Sequence, residues 1–544
     1  MGQNADGMTM TTNMAQAEKQ SPKWHVGPLE KFIRRSGLFR WPLKQHENAI
    51  IRSGIQDPWR GNASAGAYIV AHGIDWQNEA VDGNDFSWIR HLRAHGGTEA
   101  RQKTRALITN WLTQNTVWHM DRWRPDVMGD RLTNLAQNYG WYGESASEEF
   151  QTMLAKSAAM QARCLALDWR RMTSFDNKIR ALRGLAVIEA ALGASRRDLM
   201  ALLDIVIPLI NSLVLEDGGH RSRMPDRHII LLRQLIELRA AASFAGVGIE
   251  ERLDEVIGRM GSIARMWRHA DGKLANFNGA GMITAAHIEE ILARAGTRGK
   301  VLQQAPHSGF LRFSSGRTTV IADVGSPAEE TGSDSLICGI GTLSFEMSIG
   351  TTPFIVNAGQ TAADPDLRQL LCSTAAHSTL SLDDRNSSEV AEKRRAKISG
   401  VELGPATGGI LAIATHDGYE PSHGILHNRK LYLASGGGNL RGSDELEYSG
   451  APGEIPRHAI VRFHLHHRVS AAMLGNGQVL MKIRGNRNGW LFKASGGEVG
   501  LDNSVYFDAG IRHSCQQIIV RSPLSEIRTL GRQEIKWAFR RSET

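Results

Sequence analysis

TLSFEMSIGTTPFIVNAGQTAADPDLRQLLCSTAAHSTLSLDDRNSS, residues 342–388, is the stretch whose reading decides the fold. From Thr342 to Ile349 the apolar residues Leu343, Phe345, Met347 and Ile349 alternate with Ser344, Glu346 and Ser348, the period of a strand with one buried face. Phe354, Ile355 and Val356 form a fuller apolar run that stops at Asn357-Ala358-Gly359, where glycine breaks the strand. A polar loop follows. Ser373 to Asp383 then brings His377 up beside Thr374 and Ser378 before Leu380 and Leu382 resume the alternation. Two strands, a loop and a third strand are expected.

Working outward, the period-two pattern recurs downstream in short runs at 310–313, 318–323, 425–433, 460–466, 478–483 and 516–520, separated by turns rich in Gly and Asn. That is the pattern of an antiparallel sandwich. Upstream the period is helical: Phe150, Met153, Leu154, Ala158 and Ala162 fall at spacings of three and four, as do Leu199, Leu202, Leu203 and Val206. Helices followed by strands predict separate all-α and all-β domains, an α+β multidomain chain. The expected division is a disordered or loosely attached leader over 1–45, a helical domain over 46–300 and a sandwich over 301–544.

The stretch at 342–388 resembles the β-sandwich signature of the heparinase II/III-like family of polysaccharide lyases. In that family LSFE, a strand ending in (D/N)xG and an (S/T)xxAH(N/S)T loop occur in this order, here Leu343 to Glu346, Asn357 to Gly359 and Ser373 to Thr379. DGGHRSRMP (217–225) and HADGKLANFNG (269–279) resemble the helical half of the family, and HDGY (416–419), HNRKLYL (427–433) and IVRFHLH (460–466) its later strands. The resemblance implies that the helical domain is an incomplete α/α toroid.

A chain of 544 residues is too long for one core. Cys164, Cys338, Cys372 and Cys515 lack CxxC spacing, so neither a disulfide framework nor a thiolate zinc site is indicated, and reduced, buried thiols are expected. The net charge of +8 suits a polyanionic partner, whether a uronic-acid polysaccharide, a nucleic acid or an anionic membrane surface. The lack of a basic block with interleaved aromatics argues against nucleic acid. The polar start, MGQNADGMTMTTNMAQAEKQSPKW, has no apolar core of a secretory signal. The longest apolar stretch, 201–215, is broken by Asp204, Pro208 and Asn211 and is shorter than the ~20 residues that cross a bilayer. A soluble protein is expected. The resemblance implies a periplasmic or envelope location, whereas the missing signal leaves the cytoplasm open. Eleven of the thirteen tryptophans lie at or before Trp267, where they either pack between helices or stack on sugar faces.

The resemblance also implies a chemistry. Lyases acting on uronates remove the C5 proton and expel the group at C4, which requires neutralising the carboxylate, a base and an acid. The family supplies these from an Asn-His pair on one helix, a Tyr in an SPxYH-like motif on a later helix and a sandwich His, and several members bind zinc through sandwich His and Asp residues. In this sequence Asn177 matches the Asn and Lys178 replaces its His; a lysine with a pKa of about 10.4 neutralises a carboxylate but is a poor base. Arg227 replaces the Tyr, His228 is kept, His377 matches the sandwich His, and Asn357 replaces the Asp. Residues 337–341, where relatives carry further ligands, offer only Cys338.

The candidate catalytic residues are therefore His228, His377, Asn177, Tyr419 and His220. The candidate substrate-binding residues are Lys178, Arg227, Asn357, Arg124 in DRWRPD and His427. One His and one Asn are too few to hold zinc, so no metal and no cofactor are expected. Asn357 and His377 are expected to lie close together. The implied function is a lyase acting by β-elimination on an acidic polysaccharide with a diverged active site. The alternative is a non-catalytic acidic-glycan-binding or cell-envelope protein on the same scaffold.

Overall fold

Apolar residues at three- and four-residue spacing build a succession of helices from Ala63–His72 to Ala285–Arg294. The structure is a computed structural model that describes residues 26–36, 49–76, 83–296, 301–328, 339–361, 364–389, 394–450, 454–485 and 488–542. In Glu148–Asp168 the inward face carries Phe150, Leu154, Ala158 and Ala162, and in Arg196–Leu213 it carries Leu199, Leu203 and Val206. Ser147, Ser174, Ser195 and Thr284 start their helices by accepting a hydrogen bond from the backbone three residues on. Pro125 and Pro225 open theirs at the first position, where no backbone donor is missed. Pro125–Tyr142 crosses Phe175–Leu192 with the backbones touching: a Cβ on Gly184 would lie 2.2 Å from the Gly129 carbonyl oxygen. Among the described residues of this half the β-structure amounts to two isolated bridges, Val214 with His220 and Arg268 with Leu274. Both close tight turns, DGGH and HADGK, that reach toward the sandwich.

Beyond Gln304 the chain is antiparallel strand. One sheet runs, edge to edge, Gln304–Ala305, Phe310–Ser315, Thr318–Asp323, Phe345–Ile349, Thr352–Val356, His458–Leu465, Ile511–Pro523 and Glu498–Asp508, with Leu380–Leu382 also paired to His458–Leu465. The other runs Val469–Met473, Val479–Ile483, Gly489–Ser495, Arg532–Arg541, Asn439–Tyr448, Ile425–Ala434, Gly409–Tyr419 and Ile398–Ala406. Their inner faces share an aromatic core in which Phe345 stacks on Trp537 at 5.6 Å and Phe463 meets Trp537 edge-on at 4.7 Å.

Several expectations need correction. The first strand of 342–388 begins at Phe345, because Leu343 takes φ 58° and turns the chain. Its polar face is not solvated: Ser344, Glu346 and Ser348 are all buried, since the helical domain packs on that face. The polar loop contains a helix, Pro365–Leu371, capped by Asp364. Of the segment expected as a leader, Pro28–Arg35 is a helix docked on the toroid by Arg34, and residues 1–25 and 37–45 lie outside the described residues. Cys372 is disulfide-bonded, contrary to the reduced thiols expected; Cys164 and Cys515 are free, and Cys338 lies outside the described residues. No helix among the described residues is long and apolar enough to cross a membrane.

Candidate functional site

The sequence motifs converge on the junction between the two domains, where most of them act as a clamp. Glu346, buried, accepts from the backbone of Asn276 at 3.1 Å and of Asn357 at 2.9 Å, and pairs with His269 at 3.1 Å. The other ring nitrogen of His269 meets Ser348 at 3.0 Å. Asp217, from DGGH, accepts from the Ser308 backbone at 2.7 Å and hydroxyl at 2.9 Å. Arg223 donates to the carbonyls of Ser308, Ser326 and Gly309 and pairs with Asp323, and Asn278 donates to the Arg223 carbonyl at 2.9 Å. Most of these contacts run between a toroid turn and the sandwich, and the Glu346–Asn357 and Asn278–Arg223 bonds brace the two sides from within. Buried charges this well hydrogen-bonded fix the geometry of two packed bodies.

Beside the clamp lies a more open polar group. Ser174 starts Phe175–Leu192 and sets Asp176, Asn177 and Lys178 in its first turn. Asp176 accepts from His220 Nε2 at 3.0 Å and lies 3.8 Å from Arg227. The Ser222 backbone donates to His220 Nδ1 at 3.1 Å, which places the imidazole proton on Nε2, facing Asp176. Burial alone would raise the Asp176 carboxyl; His220 and Arg227 outweigh it and hold Asp176 below the ordinary range. The Asn177 carboxamide makes no hydrogen bond among the described residues, and the Lys178 ammonium lies 5.3 Å over the Phe175 ring.

The sandwich half contributes three residues. His377 donates from Nδ1 to the Ser373 carbonyl at 2.8 Å, so its Nε2 carries the lone pair, and burial holds the ring neutral by lowering its pKa. A Cβ on Gly341 would lie 2.3 Å from the His377 ring, so only glycine fits there. Asn357 accepts from the Ser378 backbone at 2.9 Å, placing it against the residue that follows His377. Arg368, which sequence reasoning missed, is half-buried with no ion pair to its guanidinium among the described residues; burial first, then the charge of Arg227, lower its pKa to about 10. Its only sequence signal is a lone Arg in a polar loop.

Other candidates are removed from the site. His228 donates to the Met260 carbonyl at 2.8 Å, packs edge-on against Trp267 and is pushed by burial down to about 3, a core histidine of the toroid. Tyr419 is 1% exposed, bonds the Leu380 carbonyl at 3.0 Å and is held protonated by burial. His427 sits in a fully buried chain, His416 to His427 at 3.0 Å and His427 to Asp444 at 2.7 Å, with Arg429 and Trp537 also on Asp444. Arg124 is committed through two nitrogens to Asp126 at 2.7 and 2.9 Å. A cavity of about 830 Å³ inside the toroid is lined by Trp59, Arg90, Asp130, Arg183, Arg233 and Glu237. Arg183 pairs there with Asp130 and Glu237, and Arg233 and Arg294 lie over the ring of Trp59, which is buried. Trp88, Trp111, Trp118, Trp123 and Trp267 are buried packing residues.

The donor set does not suit the zinc that several relatives carry. Asn357 has its oxygen committed to Ser378, and the described part of 337–341 presents Gly341, packed flat on His377. Among the described residues no group of three or more His, Cys, Asp or Glu is arranged to hold a metal ion.

The profile of the family described as heparinase II/III-like, C-terminal, matches residues 297–538. The chain is 30% identical over 482 residues to FtsZ-localized protein C of Caulobacter vibrioides, covering 85% of this chain and 82% of that protein. In three dimensions it is similar to the crystal structure of heparinase III, with a TM-score of 0.68 at 14% identity over 96% of this chain and 93% of that one. It is similar also to a heparan sulfate lyase mutant from Pedobacter heparinus, with a TM-score of 0.65 at 15% identity over 97% and 93%. At those identities the structural matches establish the fold alone.

Proposed function

This chain belongs to the heparinase II/III-like family, and from that premise we propose that it acts by binding rather than by cleavage, as a non-lyase component of the cell-division apparatus. One observation carries the reading. The position of the family's tyrosine base holds Arg227, near Asp176, and the alternative phenol, Tyr419, is walled into the sandwich core. A guanidinium does not accept a C5 proton at neutral pH. What remains beside the clamp is an anion-binding set: Asn177 with an uncommitted amide, Arg227, and Arg368. Such a set suits a carboxylate-bearing ligand, an acidic glycan among them. The relative of similar length is named for its localization with FtsZ, which supports a role at the division site for this chain as well.

The test has two arms. The purified chain, incubated with a panel of uronic-acid polysaccharides, is expected to generate no absorbance from unsaturated product. A fluorescent fusion is expected to colocalise with FtsZ, and the purified chain to sediment with FtsZ polymers. Product formation, or no association with FtsZ, overturns the corresponding half.

A second reading, a lyase with His377 as its lone base, is favoured by the Nδ1 bond to Ser373 that leaves Nε2 ready to accept a proton. Product formation abolished by His377→Ala would establish it.

A further inference from the structure

A helix on a protein surface turns its apolar stripe inward and its charges outward. Pro28–Arg35, PLEKFIRR, does the reverse. Leu29, Phe32 and Ile33 share one face and are 74%, 73% and 48% exposed. The charged face does the docking. Arg34 is 3% exposed, grips both carboxylate oxygens of Asp168 at 2.5 and 2.6 Å, and lies over the Trp118 ring at 5.4 Å. Glu30 accepts from Arg34 at 2.8 Å and from Arg171. A bidentate, buried Arg–Asp pair has a defined orientation, so the fold itself holds the apolar face outward.

The surroundings say what covers that face. Leu167, one residue before Asp168, is 61% exposed, adding to the apolar surface. Arg35 and Arg170 are exposed near it, and Glu30 and Arg171 neutralise each other in an ion pair. Large apolar side chains bordered by cations match a bilayer carrying anionic lipid: headgroup phosphates meet the guanidinium groups, and the acyl boundary receives Leu, Ile and Phe. The net charge of +8 favours the same surface. We propose that this face is a membrane-surface docking site, at which Leu29, Phe32 and Ile33 insert at the headgroup boundary of an anionic bilayer while Arg35 and Arg170 contact lipid phosphates.

The full chain is floated with vesicles of phosphatidylglycerol and phosphatidylcholine, and separately with phosphatidylcholine alone. It is expected to rise with the anionic vesicles only, and to be released as NaCl is raised from about 50 mM to about 500 mM, where charges beyond a few ångströms are screened. Phe32→Glu is expected to lower the vesicle-bound fraction about tenfold, less than the full hydrophobic contribution of a phenylalanine, with Tm unchanged because the ring is 73% exposed among the described residues. A wild-type chain that stays down with anionic vesicles overturns the proposal, as does a Phe32→Glu chain that floats like wild type. Concentration-dependent self-association abolished by Phe32→Glu, without flotation, makes the face an interface between copies and likewise overturns it.

Discussion

Two polar clusters lie side by side at one domain junction and obey different rules. In the clamp, Glu346, His269, Arg223 and Asp323 are buried and hydrogen-bonded from several sides. In the neighbouring group Asn177 has an uncommitted amide and Arg368 has no ion pair among the described residues. The family motifs fall mostly on the first cluster. A motif can therefore persist because it joins two domains, whatever chemistry stands beside it. The lesson is that a match to LSFE or to DGGH reports how the halves are held together, and catalysis has to be argued from the second cluster alone.

The sharpest way to break the comparison is to cut the clamp. Glu346→Ala strands His269 and two buried backbone donors, and is expected to cost about 3 kcal/mol or more. Calorimetry should show a lower Tm and separation of the toroid and sandwich transitions; an unchanged Tm would place the clamp on the same footing as the open group.

Acid titrates the buried histidines next. Burial lowers His228 and His464 to about 3 and also lowers His377. Their folded pKa values lie below the unfolded 6.5, so the stability they contribute is complete above pH 6.5 and is lost as pH falls toward 3. By pH 5 a histidine shifted that far gives up about 2 kcal/mol. Asp226, raised to about 6 by burial, works the other way, contributing stability that is lost as pH rises through 6. With several histidines against two raised carboxyls, Asp226 and Glu189, denaturant midpoints are expected to fall between pH 7 and pH 5; a flat profile would mean that these rings are solvated.

Arg368→Leu is expected to change stability by less than about 1 kcal/mol, since no ion pair is lost, while weakening binding of a heparin oligosaccharide by roughly tenfold in isothermal titration, a charge-assisted contact's worth. Equal affinity in wild type and variant would remove Arg368 from the anion-binding set. The smallest effect expected is none at all: elemental analysis should find well under one zinc per chain, and a chelator should leave Tm unchanged. Stoichiometric zinc lost with His377→Ala would bring the second cluster back to the zinc chemistry of its relatives.

The order of helices then strands and the position of the strand 345–349 were legible in the sequence, because periodicity is local and survives without neighbours, and the toroid followed from the family resemblance. Also legible was the expectation that Arg227 stands where the family carries its tyrosine, a matter of residue identity. Strands such as Ile398–Ala406 and Glu498–Asp508 were not; they lie at the sheet edges and are largely half-buried or exposed. The fates of His228, Tyr419 and His427 were decided only by tertiary structure. A histidine or tyrosine looks the same in sequence whether it faces a cleft or a core, and its pKa is set by burial and by partners tens or hundreds of residues away. The same holds for Glu346, which reads as the solvated face of a strand until the helical domain is laid over it, and for Pro28–Arg35, whose outward apolar face depends on Asp168, 134 residues downstream of Arg34.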